Sequence, residues 1–163
     1  MKLDLKSSPR HIKRLQNIAK VISGLGDVRV VIDDNTKGPY FDPVNKVCVL
    51  PNGDYSDDDF VSLIEGFTCH EAGHGRYTVS EVYSDAFNSV LMSSEGFTRF
   101  DDGMNAEFES LAEKRKAYSR AKRLTGLINL FDDVQMEEKV GNDYPDAKRR
   151  LQTQIGRASC RER

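Results

Sequence analysis

Between Arg10 and Ile22 the apolar residues fall at 12, 15, 18, 19 and 22 with charges between them, which predicts an amphipathic helix that starts behind Ser7-Ser8-Pro9 and stops at Ser23-Gly24. Val28-Arg29-Val30-Val31-Ile32 is a β-branched run and reads as a strand. Residues 33–39 are rich in turn formers, and Tyr40 to Pro43 and Lys46 to Pro51 are two short extended pieces around a turn at Asn45. Val47 to Leu50 is expected at the edge of the resulting sheet, above a cleft. Apolar residues at 60, 63, 64 and 67 restore the helical period, and this second helix is expected to run to about Tyr77. The acidic run Asp57-Asp58-Asp59 ahead of it lacks the alternating ligands of a calcium loop. Ser56 or Asp57 is therefore read as a helix cap, with negative charge favoured at the positive end of the helix dipole. Beyond an interrupted stretch with a helix-like piece at 82–92, Asn105 to Lys122 predicts a helix with Phe108, Leu111, Ala112 and Tyr118 available to the core. In the last pattern, Leu127, Leu130, Phe131 and Val134 form an apolar stripe, and Asn129, Asp133 and Glu137 recur every four residues beside it.

The pattern describes an α+β chain, mainly helical, with a small N-terminal sheet packed on the second helix. A length of 163 residues suits one domain, taken as 1–154. Residues 155–163 have no period and resemble the translation of a sequencing adapter, so they are expected to be a non-native tail that replaces further native chain. Without that tail's three arginines and one glutamate, 21 basic and 25 acidic residues remain, a net charge of −4 instead of −2. Neither value gives a footing for nucleic-acid binding. There is no apolar run of membrane-span length and no signal-peptide pattern, so no membrane partner is expected, and the expected compartment is the cytoplasm, of the host if the protein is viral. Three widely spaced cysteines make neither a disulfide framework nor a metal knuckle, and Cys69 reads as a small buried thiol.

Chemistry concentrates in Thr68-Cys69-His70-Glu71-Ala72-Gly73-His74. Two of the chain's three histidines stand four apart with a carboxylate between them, so on a helix both rings reach one cation. This is the HExxH arrangement, with His70 and His74 as zinc ligands and Glu71 as the general base for the attacking water. Gly73 and Gly75 flank His74 at a cost of roughly 1 kcal/mol each in a helix, which implies close approach of another part of the chain or of the ion and its substrate. A catalytic zinc needs a third protein ligand, and no further histidine follows at a suitable spacing. Asp133 is the first candidate, Glu137 the second and Asp132 the third, with Asn129 and the remaining acids supporting the ligands from behind. Tyr77 and Tyr83 are candidates for steadying the oxyanion. The implied activity is hydrolysis of a peptide or protein substrate with one zinc ion. The competing reading is a non-catalytic, metal-stabilised assembly module.

Taken together, LPNGDYSDDDFVSLIEGFTCHEAGHGRYT and LINLFDDVQMEEKVGNDYPDAKRRL resemble the N-terminal metallopeptidase-like domain of phage and bacterial proteins described as cobalamin-biosynthesis-subunit-like or von Willebrand factor A-domain proteins. The resemblance spans roughly residues 10–151 and implies a zincin-like fold with a von Willebrand factor A-type domain downstream. The chain departs from the family's pattern at Asp132, where that pattern has Glu, and at Gln135, where it has Arg.

Overall fold

A computed structural model describes residues 9–152, so the tail expected at 155–163 lies outside the described residues. The elements run α1 (Pro9–Ser23), β1 (Arg29–Asp33), β2 (Tyr40–Asp42), β3 (Val47–Pro51), α2 (Asp58–Tyr77), α3 (Ser80–Met92), β4 (Phe97–Phe100), β5 (Ala106–Phe108) and α4 (Leu111–Asp143). This is an α+β chain. Within the span read as one domain, the described residues gather into two compact units, one holding 9–78 and 133–152, the other Val79–Asp132. None of the described helices is long and apolar enough to cross a membrane.

In the first unit α1 buries Leu15, Ala19 and Ile22, the apolar positions that its period singles out. The Ser23 hydroxyl folds back on the Ala19 carbonyl (2.6 Å), and Gly24, at φ +70°, lets its N–H reach Lys20 O (3.1 Å), a left-handed stop that glycine tolerates. Gln16 ties α1 to β1: its amide donates to Val28 O and its carbonyl oxygen accepts from the Val30 N–H. The sheet order is β1-β3-β2, parallel between β1 and β3 and antiparallel between β3 and β2. The expectation that Val47 to Leu50 form the edge is therefore corrected: β3 is central and β2 is an edge. Val47, Cys48, Val49 and Leu50 are all buried, without alternation, the mark of a strand covered on both faces. The β2–β3 turn is fixed by the Asp42 carboxylate, which accepts from the backbone N–H groups of Val44 and Asn45.

Asp57 is the N-cap of α2, its carboxylate accepting from the Asp59 N–H (2.9 Å). Along α2, Ile64 packs with Leu15, Cys48 and Leu50, while Cys69 and Ala72 pack with Ala19, Ile22, Met136 and Val140. The two thiols are free and buried, and burial pushes Cys69 up to about 12. Glu65 is buried too, held by Arg14 of α1 and by Arg150, which lies in a helical segment spanning 145–152.

In the second unit, Phe97, Phe100 and Phe108 of the β4–β5 hairpin pack with Leu91 of α3 and with Ala117 and Ala121 of α4. The helix predicted from Asn105 starts instead at Leu111, because 106–108 pair with β4. Ser110 caps α4, its hydroxyl accepting from the Glu113 N–H and donating to the Glu113 carboxylate. Phe108 consequently packs from a strand, and Leu111 is exposed. The stripe at 127, 130, 131 and 134 also faces solvent.

Candidate metal centre

The site belongs to the first unit and joins α2 to the last turns of α4. His70 and His74, one turn apart, stand with ring centroids 4.7 Å apart and planes at 78°. Their Nε2 atoms approach to 3.1 Å. Asp133 Oδ1 lies 3.2 Å from Nε2 of His74 and 3.7 Å from Nε2 of His70. Ligand atoms around a tetrahedral ion with bonds of ~2.0–2.2 Å stand about 3.3–3.6 Å apart, and the three separations lie within a few tenths of an ångström of that range. Among the described residues, these three form the group of imidazole and carboxylate ligand atoms close enough to share an ion.

Behind the rings, each Nδ1 has a partner. Nδ1 of His70 is 2.9 Å from Glu137 Oε1, and Nδ1 of His74 is 2.8 Å from Thr78 Oγ1. An ionised carboxylate only accepts, so His70 carries a proton on Nδ1, and in the neutral ring its Nε2 lone pair faces the centre. Thr78, whose hydroxyl can accept or donate, fixes the orientation of the His74 ring. Burial works against the imidazolium of His70, but the Glu137 hydrogen bond and the charges of Glu71, Asp133 and Glu137 outweigh it and raise its pKa.

The spacing 133, 137 repeats the spacing 70, 74, so one face of α4 presents two carboxylates to α2. Glu137, expected as a reserve ligand or a support, sits on the far side of the His70 ring. Asp133, the first candidate, is the carboxylate facing both Nε2 atoms. The two helices come this close because of Gly73: a Cβ there would lie 2.2 Å from Met136 Sδ and 2.9 Å from Val140 Cγ2. Gly75 likewise lies under the Phe41 ring, where a Cβ would meet Cζ at 2.7 Å.

Glu71 points another way round α2 and is buried, with its carboxylate accepting from the backbone N–H of Phe41 on β2. Burial raises its pKa to about 7, against the opposing pull of His70 and the Phe41 N–H and with the support of the negative Asp133. Glu71 thus lies within electrostatic reach of two members of the triad.

The Tyr77 hydroxyl donates to Asp143, a surface acid, and its ring lies under Arg76 and Lys139. Tyr83, Asn129 and Asp132 belong to the second unit. Thr78 and the Phe41 backbone went unmarked by pattern reading. Thr78 had a signal, since 70, 74 and 78 form one i, i+4 series, whereas a backbone donor on β2 has none. No family model matches the chain, and no match appears among curated proteins or solved structures.

Proposed function

We propose that the chain is a metallopeptidase that holds one zinc ion through His70, His74 and Asp133 and uses Glu71 as general base. The observation that carries this reading is the meeting of two Nε2 atoms and a carboxylate oxygen within 3.1–3.7 Å. In the neutral, Nδ1-protonated ring the Nε2 lone pair of His70 meets Nε2 of His74 and a carboxylate oxygen at one point, a donor set that a cation draws together. Two imidazoles and one carboxylate are a ligand set that zinc accepts while keeping a position open. When bound, the ion supplies Lewis acidity that polarises a scissile carbonyl and acidifies water. Glu71, raised to about 7, takes a proton from the attacking water near neutrality and returns it to the leaving amine. Glu137 sets the tautomer of His70, and Glu137 and Thr78 hold the two rings in orientation. The likeness to the metallopeptidase-like domain of cobalamin-biosynthesis-subunit-like proteins, with its downstream von Willebrand factor A-type partner, belongs to the same proposal.

Metal analysis of protein purified without added metal, together with cleavage of an unfolded casein substrate, tests the reading. One zinc per chain is expected, lost in His70→Ala and Asp133→Asn. Glu71→Gln should retain zinc and lose cleavage. A metal-stabilised assembly module would keep its zinc and show no cleavage in the parent protein, and absence of stoichiometric metal would sink both readings.

A further inference from the structure

Independently of the metal centre, α4 carries an apolar face turned to solvent. Leu124, Leu127, Leu130, Phe131 and Val134 are exposed, from 38% at Leu124 to 67% at Phe131. Leu124, Leu127, Phe131 and Val134 follow the alternating three and four spacing of a coiled-coil seam. The same face continues toward the helix N-terminus as Lys116, Arg120 and Arg123, and toward the C-terminus as Glu138, all exposed. The face is thus cationic at one end, apolar in the middle and anionic at the other.

We propose that this face binds a second copy of the chain, α4 packing antiparallel on α4 about a two-fold axis. In that register Leu124 lies over the partner's Val134, Leu127 over the partner's Phe131, and Arg120 against the partner's Glu138, each pair made twice as a self-complementary interface requires. A parallel pairing would stack the three cations of each copy on one another. The antiparallel one separates them and sets Arg120 against the partner's Glu138. The apolar residues leave on the order of 500 Å² per copy, or about 1,000 Å² for the pair, the lower bound of a specific interface, so the dimer is weak and populated at micromolar concentrations and above. Glu138 on the same face disfavours an anionic bilayer as the occupant.

Sedimentation velocity of the full chain from about 1 to 500 µM tests the proposal. The parent should shift from monomer to dimer, and Leu127→Glu, at an exposed position, should stay monomeric with an unchanged circular dichroism spectrum. Arg120→Glu alone and Glu138→Arg alone should each weaken association about tenfold through like-charge contacts. An equimolar mixture of these two variants should recover it, because each then supplies the charge that the other lacks. A parent monomeric at the top concentration, association indifferent to Leu127→Glu, a mixture that fails to recover, or a monomer that instead co-sediments with phosphatidylserine vesicles would each overturn it.

Discussion

Gly73→Ala tests how the spacing of two helices sets a metal centre. The added Cβ would stand 2.2 Å from Met136 Sδ, and ordinary contact begins at 3.4 Å, so about 1.2 Å must be found by moving Met136, α4 or both. Met136 and Val140 are 1% and 0% exposed, which leaves the side chains little room to swing. Overpacking of this kind costs ~1–3 kcal/mol, and replacing a helical glycine by alanine returns ~1 kcal/mol, for a net loss of about 1 kcal/mol. The site suffers more than the fold. Asp133 lies on α4 and the two rings on α2, so a displacement of about 1 Å opens the 3.2 and 3.7 Å separations beyond what one ion spans. Zinc affinity should fall roughly 10- to 100-fold, while a urea melt in chelator shows only the small stability loss. Competition against a chromophoric chelator measures the first quantity, and adding Met136→Ala should return part of the lost affinity. Unchanged zinc affinity in a variant as stable as the parent would refute the idea that Gly73 sets the distance between acid and rings.

Thr78→Val removes the hydroxyl partner of Nδ1 of His74 and should weaken zinc binding by about 10- to 100-fold in the same competition assay, with Thr78→Ser close to the parent. Metal-free protein should lose stability as pH rises from about 5 to 8. Glu71 holds its proton up to about 7 when folded but releases it near 4.5 when unfolded, and the raised His70 acts in the same direction, so the folded chain binds more protons across that window. Melts in chelator across pH measure this, and Glu71→Gln should flatten the slope. A stability that rises with pH would contradict it. Glu65→Gln leaves Arg14 and Arg150 without their shared acid and should cost about 2–4 kcal/mol by urea denaturation, less than a fully buried pair because Arg14 is half exposed.

Much of the first unit was legible along the chain. Leu15, Ala19 and Ile22 recur at the helical period, the Asp57 cap stands ahead of Phe60, and the fourfold spacings 70, 74 and 133, 137 are local facts that a helix turns directly into faces. Other features depend on partners distant in sequence. Val47 to Leu50 could be edge or centre until β1 and β2 were seen on either side, although its unbroken apolar run was the available clue. The start of α4 was obscured because 106–108 suits a helix as well as a strand, and only pairing with Phe97–Phe100 decides between them. Ser110 and Glu113 held a capping signal that marks the true start.

The amino-acid order alone determined which side chains share a turn: two imidazoles on one helix, two carboxylates on another, because helical repeat is a property of the backbone. It could not say that these helices touch, that Asp133 rather than Glu137 meets both rings, or that Tyr77 is drawn off to Asp143. Those outcomes were decided by tertiary packing, where Gly73 admits Met136 and Val140 and thereby fixes the rotation and distance of α4 against α2. The apolar stripe of α4 shows the same division: its existence follows from spacing, but its direction is settled by the burial of other faces of the helix, through Ala117 and Ala121 in one unit and Met136 and Val140 in the other.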